Sequence, residues 1–444
     1  MASTLAKNLA TPTPNPSPQG GGELRRGACP GLSAPMPTGD GLLVRLLPVG
    51  TIPLDAFGRL CAAARQHGNG IVEITARGSI QIRGLNAASA PRFADAIAAL
   101  NIAAANGIPV HSNALAGLDP EEILNAGALA ADLRRALAET SLASRLAPKV
   151  SVAIDGGGAL NLDGLAADVR LCAKATNSDA ALGVSVGGDG ASARELGAVA
   201  PSNGVETAVR LLEVIARGGR NARARDVIAA NGTVAFRTAI ADFLLADGSL
   251  RKSHTSAEPI GTHRLRDGTV ACGIGLAFGH ADTAALERLA QAACSQGAGG
   301  MRAAPGRSLM VIDLAQEAAS ALAAGTENLG FIVRADDPRR HVIACAGAPI
   351  CSSAHIAARA IAPRIAEIAA LHPDAAFDIH VSGCAKGCAH AKATALTVVG
   401  SPHGCALVAD GSARDIPFAT VAPEDLPAAI ERYARARKRE GGHV

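Results

Sequence analysis

The sequence predicts a mixed α/β protein that contains two small β-α-β-β half-domains, each followed by a larger α/β segment. Three observations lead to this prediction. Short alternating strands are interleaved with apolar stripes of helical period. The chain resembles itself when it is shifted by 229 residues. Four cysteines form two close pairs in its last third, Cys345 with Cys351 and Cys384 with Cys388.

Composition excludes several classes of protein. The 444 residues are 48% hydrophobic, which is enough for several packed domains, and the net charge of +3 is too mild to indicate nucleic-acid binding. No apolar run reaches the roughly 18 residues that a membrane span needs. The first eleven residues lack the apolar stretch of a secretory signal, and ten cysteines without such a signal are typical of a reducing compartment. We therefore expect a cytoplasmic protein.

The N-terminal segment, residues 1–40, is expected to be disordered. Its Pro/Gly-rich run at 11–22 cannot bury enough apolar surface to offset the entropy lost on ordering. Cys29 follows this run, and its thiol is interpreted as non-catalytic.

The first half-domain is predicted at 41–110, with strands at 42–47, 71–74 and 79–83. Between the first two strands, a helical stripe is formed by Phe57, Leu60, Cys61 and Ala64. In the third strand the alternation places Ile80 and Ile82 on one face. Ser79, Gln81 and Arg83 lie on the other face, and Arg77 joins them if the strand extends backwards. A polar face of this kind is either a binding surface or the solvated side of a half-exposed sheet.

A repeat favours the binding interpretation and predicts the second half-domain at 251–330. The 229-residue shift brings Gly50 onto Gly279, Gly68 onto Gly297 and Gly70 onto Gly299, and the helical stripe recurs as Leu286, Leu289, Ala290 and Ala293. Half-domains of this size cannot easily bury both faces of their sheets alone. We therefore expect the two copies to pair about a pseudo-twofold axis.

Each half-domain precedes a larger α/β segment, predicted at 111–250 and 335–444. In the first, we expect a helix that starts near 119–122, strands at 150–154, 169–172 and 182–186, a helix at 205–216 and a solvated basic loop at 217–226. In the second, we expect a helix at 354–371, strands at 377–381 and 394–399, and a final helix with a solvated basic run at 432–439.

The four paired cysteines have the spacings C-x5-C and C-x3-C, with glycine or proline beside each pair. Four thiolates on two turns suit an iron–sulfur cluster or a zinc ion, although structural zinc usually has narrower spacings. Four unrelated buried thiols are the remaining alternative. Six of the twelve histidines lie between 341 and 403, which suggests metal ligands among them, and His390 is the candidate singled out. Any single one of them, His390 included, is more typical of a capping or core histidine.

The motifs resemble those of the sulfite and nitrite reductase superfamily over nearly all the chain after residue 40. The run 75–81, TARGSIQ, is similar to the superfamily's tetrapyrrole-facing motif, and the four cysteines match its [4Fe–4S] ligands in spacing. The resemblance implies ferredoxin-like half-domains, and a [4Fe–4S] cluster held by Cys345, Cys351, Cys384 and Cys388 in the second α/β domain.

Two departures separate the chain from the reductases. Where these carry an Arg-Asn pair, this chain has Ser112-Asn113, and where they carry Lys-x-Lys, it has Lys149-Val150-Ser151. A site for sulfite or nitrite needs concentrated positive charge, and two of its cations are missing. The chain is more similar to a branch of the superfamily in which the tetrapyrrole is the substrate. That resemblance implies an oxygen-dependent monooxygenase of aerobic cobalamin biosynthesis, which hydroxylates precorrin-3A at C20 and closes a lactone.

The same resemblance implies the partners: precorrin-3A, O2, an external electron donor (an NADH-linked reductase or a ferredoxin) and a mononuclear non-haem iron beside the cluster. Precorrin-3A carries many carboxylates, and arginine binds carboxylate bidentately. The candidate substrate-binding residues are Arg77, Gln81, Arg83, Lys149 and either Arg302 or Arg307. No catalytic residue can be assigned. The alternatives are a siroheme-dependent sulfite or nitrite reductase and a non-enzymatic iron–sulfur electron-transfer protein.

Overall fold

The computed structural model describes residues 30–176, 180–246, 256–372 and 378–441. In these ranges no helix is both long and apolar enough to cross a membrane. Four sheets, each backed by helices, make up the fold. Cys29 lies outside the described residues.

The first repeat forms most of one antiparallel sheet, in the strand order β1-β2-β4-β3. Its elements are β1 (Met36–Thr38), β2 (Gly41–Leu46), α1 (Leu54–His67), β3 (Ile71–Ile74), β4 (Ile80–Leu85) and α2 (Ser89–Ala98).

The first α/β segment forms a mixed five-stranded sheet, ordered β5-β6-β7-β8-β9. Its elements are β5 (Val110–Ser112), α3 (Ala126–Ala138), α4 (Leu142–Arg145), β6 (Val152–Asp155), β7 (Ala167–Ala175), β8 (Ala180–Gly188), β9 (Arg194–Val199), α5 (Gly204–Arg217), α6 (Ala224–Asn231) and α7 (Val234–Ala239). The three strands and the helix predicted at 150–154, 169–172, 182–186 and 205–216 are confirmed as β6, β7, β8 and α5.

The second repeat forms an antiparallel sheet, ordered β10-β11-β14-β13. Its elements are β10 (Gly261–Arg264), β11 (Val270–Gly275), β12 (His280–Asp282), α8 (Thr283–Ser295), β13 (Gly300–Ala304), β14 (Ser308–Leu314) and α9 (Gln316–Glu327).

The cysteine-bearing segment forms a mixed sheet, ordered β15-β16-β17-β18-β19. Its elements are β15 (Val342–Ala344), α10 (Ala358–Ala370), β16 (Ile379–Ser382), β17 (Thr394–Ser401), β18 (Gly404–Gly411), β19 (Ala419–Val421) and α11 (Leu426–Gly441).

The duplication is confirmed element by element. The 229-residue shift carries α1 onto α8, β3 onto β13, β4 onto β14 and α2 onto α9. The copies also exchange strand residues reciprocally: β12 pairs Ala281 with Val72, and the same shift turns this pair into the bridge between Ile52 and Met301. Such reciprocal contacts are those of a pseudo-twofold axis.

Both repeats contribute to a single hydrophobic core. The apolar stripes of α1 and α8 meet there, with Phe57 and Leu60 from the first copy and Leu286 and Leu289 from the second, all fully buried. Neither half-domain could bury its stripe alone, as the repeat argument expected.

Three sequence expectations are wrong in part. Of the segment expected to be disordered, residues 1–29 lie outside the described part of the chain, whereas residues 30–40 are ordered and include β1. The helix expected near Asp119 begins only at Ala126. The cause is local hydrogen bonding: the carboxylate of Asp119 accepts the N–H of Glu121 at 2.9 Å, and that of Glu122 accepts the N–H groups of Gly117 and Ala126 at 2.7 and 3.0 Å. These bonds hold the chain in turns instead.

The third error concerns the basic loop at 217–226, which is not simply solvated. Arg223 donates from Nε and Nη2 to the carboxylate of Asp168, at 2.9 and 2.7 Å. Asp168 is buried, and it also accepts the N–H groups of Ser151 and Ala224. The loop is therefore anchored to the sheet at Arg223.

Candidate functional site

Two of the paired cysteines stand at the carboxyl ends of adjacent parallel strands. β15 and β16 pair in parallel, with Ala344 opposite Val381, so that Cys345 and Cys384 leave the sheet side by side. The N–H of Cys345 donates to the Val381 carbonyl at 3.1 Å. The N–H of Gly383 donates to Sγ of Cys345 at 3.0 Å, a contact that stabilises negative charge on sulfur.

The other two cysteines follow glycines in the left-handed region. Gly347, at φ +68°, accepts the N–H of Cys351 through its carbonyl at 2.8 Å, and Gly387, at φ +63°, directly precedes Cys388. A side chain at Gly387 would lie 3.2 Å from the Ala413 methyl group. The sharp turns that glycine permits bring both loops over the end of the sheet.

The four thiols line one cavity of about 440 Å³. Burial raises the pKa of Cys345 and of Cys388, and the neighbouring thiols raise it further. Thiolates in this place therefore need a compensating positive charge. In the described ranges no three histidine, cysteine, aspartate or glutamate side chains are close enough to share one metal ion. Four thiols on two loops around one cavity are a donor set that suits a multi-iron group.

The polar face of β4 forms the opposite wall of this cavity. Gln81 is the centre of a hydrogen-bonded chain: Arg45 Nη2 donates to its Oε1 at 2.8 Å, its Nε2 donates to Glu73, and Arg359 of α10 donates to the other Glu73 oxygen. Arg83 donates to both carboxylate oxygens of Asp40 at 2.7 Å. The Nε–Nη2 edge of the Arg83 guanidinium is therefore already occupied by the Asp40 carboxylate. Arg83 holds this wall in place and does not offer that edge to a ligand.

Arg77 lies between two cavities. It lines the cysteine cavity and also a neighbouring one of about 740 Å³, where Lys149 and Arg223 are found. Its Nη1 donates to Ser151 Oγ at 3.2 Å. Burial, and then Arg77 foremost among three nearby arginines, lowers the pKa of His111 to about 3, which reflects the positive charge around this second cavity.

The two arginine candidates of the second repeat have different places. Arg307, in the left-handed region at φ +63°, lines the cysteine cavity, and its Nη2 lies 3.5 Å from the Ala389 carbonyl oxygen. Arg302 donates to Thr51 Oγ1 and to the carbonyls of Ala114 and Ala116 at 2.9 to 3.1 Å. Only Arg307 faces the site, whereas Arg302 ties the repeats to the first α/β segment.

Several site residues were missed from sequence. Arg45, Glu73 and His280 line the cysteine cavity, and Arg223 lines the second one. Glu73 and His280 are cross-strand neighbours contributed by different repeats. The period-two pattern of β2 and β3 could have indicated Arg45 and Glu73, but no spacing indicates His280 or Arg223.

The mononuclear iron implied by the resemblance does not fit the described residues. The His380 and His390 rings are 5.8 Å apart, and neither nitrogen of the fully buried His380 has a hydrogen-bond partner. Burial, then His390 and Arg307, lowers the pKa of His380 to about 4. Two rings alone do not form an iron site, and no third ligand joins them in the described part of the chain.

Comparisons with known proteins agree with this geometry. Residues 34–100 match the family described as the nitrite/sulfite reductase ferredoxin-like half domain. The structure of the Mycobacterium tuberculosis NirA protein superposes with a TM-score of 0.71 over 89% of this chain and 80% of that one. With 20% sequence identity, that likeness shows the fold alone.

A precorrin-3B synthase from Sinorhizobium sp is 38% identical over 413 residues, which cover 93% of this chain and 89% of that protein. Identity at this level over nearly the whole of both chains includes the repeats, both α/β segments and the cysteine loops. The chain therefore belongs to the precorrin-3B synthase family, oxidoreductases built on the sulfite and nitrite reductase fold.

Proposed function

We propose that the protein converts precorrin-3A to precorrin-3B in aerobic cobalamin biosynthesis. One atom of O2 is added to the substrate, giving a hydroxyl group at C20 and a lactone closed by the ring A acetate. The other oxygen atom takes up two electrons and two protons and leaves as water. The observation that carries the proposal is that four cysteines and an arginine-rich strand face line one cavity.

We assign Cys345, Cys351, Cys384 and Cys388 as ligands of a [4Fe–4S] cluster. When bound there, such a cluster supplies electrons one at a time from an external NADH-linked reductase or ferredoxin. The chain's own contribution is the arrangement of the thiols: the parallel strands place two of them side by side, and the Gly383 N–H compensates charge on Cys345.

The substrate is a tetrapyrrole with many carboxylates, and the cavity walls supply matching cations. Arg77 and Arg307 face the cysteine cavity from the two repeats, and the Gln81 amide, which accepts a hydrogen bond from Arg45, lines the same cavity. Arginine keeps its charge when partly desolvated and binds carboxylate in a planar fork. Arg77 and Arg307 are therefore the proposed carboxylate anchors, and Gln81 is a proposed polar contact.

The second cavity extends the proposed substrate site beyond Arg77. Lys149 is exposed there, and Arg223 is held in place by Asp168. A rim of cations on this side suits carboxylates at the edge of a macrocycle that reaches past Arg77. Arg83 takes an indirect role in this proposal, because its guanidinium is paired with Asp40.

The direct test is isotopic. The anaerobically purified protein is mixed with precorrin-3A and a chemical reductant, then exposed to ¹⁸O₂, and the product is analysed by mass spectrometry. We expect one heavy oxygen atom per product molecule, and no product when O2 or the reductant is omitted. A product whose added oxygen comes from water would contradict the monooxygenase assignment.

A matched control separates the cluster from the fold. Cys384→Ser should abolish oxygen incorporation, whereas Cys405→Ala, which changes a buried thiol on β18 away from the cavity, should retain it. Loss of activity in both variants would indicate general misfolding instead.

A further inference from the structure

The segment Met36–Asp40, here named the strap, lies directly against one of the paired cysteines. The carbonyl of Gly39 accepts the N–H of Ser352 at 2.9 Å. A Cβ atom at Gly39 would stand 2.4 Å from Sγ of Cys351, so that the sulfur would have to move. If a bound cluster fixes this sulfur in place, only glycine fits between it and the strap backbone.

The other end of the strap is fastened to the polar wall. Asp40 receives two hydrogen bonds from Arg83 and one from Thr38 Oγ1, each at 2.7 Å, and its side chain is only 1% exposed. Burial alone would raise the pKa of Asp40, but the hydrogen bonds and positive charge of Arg83, together with the hydrogen bond from Thr38, outweigh burial and lower the pKa. The pair therefore remains ionised and bidentate, the geometry in which a buried ion pair holds firmly.

Apart from these contacts the strap has little support. β1 is an edge strand of three residues, paired only with β2. The first four residues of the strap, Met36 to Gly39, line the cysteine cavity. Short edge elements with few apolar contacts open at low free-energy cost, so the Gly39 and Asp40 contacts decide whether this side of the cavity stays closed.

We propose that the strap is a cover for the iron–sulfur cluster, with Gly39 and Asp40 as positioning residues that hold the Cys351 loop and restrict oxygen and water. The inference rests on the proposed function, which requires an oxygen-sensitive cluster to work beside its oxygen substrate. A shell that limits solvent access is a general means of tuning such a centre.

The experiment uses the anaerobically purified full-length protein and measures iron and sulfide content, the rate at which absorption near ~400 nm is lost in air, and the electron paramagnetic resonance spectrum of the reduced protein. Gly39→Ala should lower cluster content and alter the resonance line shape. Asp40→Asn should retain the cluster but lose it roughly tenfold faster in air, as expected when the strap loses charge-assisted hydrogen bonds.

Two controls make the result specific. Gly31→Ala changes a glycine eight positions earlier, where a Cβ would meet nothing within 4 Å, and Asp55→Asn removes an exposed carboxylate from α1. Both should match the wild-type protein. Circular dichroism shows whether Gly39→Ala is folded, and Asp40→Asn tests the cover if it is not.

The outcomes distinguish the two proposals. A wild-type protein with a full cluster, together with wild-type air stability and resonance spectra in both strap variants, overturns the cover alone. A wild-type protein that contains no iron or sulfide overturns the cluster assignment and the cover with it.

Discussion

The two repeats share a backbone but face different surroundings. In β4 of the first copy, Ile80 and Ile82 enter the shared core, and the 229-residue shift places Leu309 and Val311 of β14 in the same core. The outward positions differ. Gln81 and Arg83 face the cysteine cavity, whereas their counterparts Met310 and Ile312 pack in an apolar cluster with Leu115 and Leu160 of the first α/β segment.

The difference shows that two duplicated half-domains can share one packing role and differ in another, because only their inward faces must fit the common core. The inward face is apolar in both copies, because the pseudo-twofold core requires it from both. The outward face is not constrained in this way, and one copy carries a polar face toward the cysteines while the other carries an apolar packing surface. The turn before the strand differs as well: Gly78 corresponds to Arg307, and both take positive φ, which aims the Arg307 side chain back into the first copy's cavity.

The largest effect is expected from substituting a cysteine on the cavity wall opposite the polar face of β4. Cys384→Ser should lose the cluster, since serine is a poor ligand for such soft sites, and the brown absorption near ~400 nm should vanish. Iron and sulfide analysis after anaerobic purification measures it. A full complement of both in this variant would remove Cys384 from the ligand set.

The next largest effect is expected at Arg77, the proposed carboxylate anchor of the first repeat. Arg77→Ala should weaken precorrin-3A binding by roughly 1.5–3 kcal/mol, the usual worth of hydrogen bonds to charged groups. Arg77→Lys should lie between this variant and the wild-type protein, because lysine keeps the charge and loses the planar fork. Anaerobic titration followed by the tetrapyrrole spectrum gives both affinities.

The cluster serves as the control for that titration. Arg77 lines the cysteine cavity but is not one of the proposed cluster ligands, so intact cluster absorption in Arg77→Ala separates a binding defect from misfolding. Equal affinities in all three proteins would mean that Arg77 does not bind the substrate.

Two reciprocal substitutions at equivalent positions test whether the outward faces of β4 and β14 differ in energy. Met310→Gln should lower the free energy of unfolding by about 1–3 kcal/mol, because it buries an amide among apolar side chains. Gln81→Met should cost less stability and weaken substrate binding instead, since water in the cavity can hydrogen-bond Arg45 and Glu73. Chemical denaturation of both variants checks this asymmetry. Equal losses of stability would show that the two outward faces are energetically alike.

The smallest effect is expected at cysteines away from the cavity. Cys272 in β11 and Cys405 in β18 are both buried, and burial raises the pKa of each thiol. Cys272→Ala and Cys405→Ala should each cost about 1 kcal/mol of packing and leave the iron content unchanged. Loss of iron from either variant would place that thiol nearer the cluster than the structure does.

Local pattern was sufficient to predict the repeat and much of its interior. The matched glycines and the stripes of α1 and α8 are properties of single elements, so they could be read from sequence. The helix near Asp119 could not be predicted correctly, because acidic residues before a helix also form hydrogen-bonded turns, and only the surrounding chain decides between these structures.

The site was predictable only where spacing carries the signal. The cysteine spacings indicated the cavity, and the period of β4 indicated Gln81 on its wall. Arg77 was expected there only if the strand extended backwards, but β4 begins at Ile80, and Arg77 reaches the cavity from the turn before it. Asp40, which pairs with Arg83, belongs to a segment whose composition predicts disorder. Arg223 is held beside the second cavity by its hydrogen bonds to Asp168. Such long-range pairings leave no local pattern in a single sequence.

We infer that the cavity between the first repeat and the cysteines takes a tetrapyrrole as substrate and not as resident cofactor. It is tested most directly by analysing the anaerobically purified protein for iron, sulfide and any tetrapyrrole extracted into acidified acetone. We expect about four iron and four sulfide per chain, no siroheme, and no reduction of sulfite or nitrite with an artificial donor. Stoichiometric siroheme in the extract would contradict it.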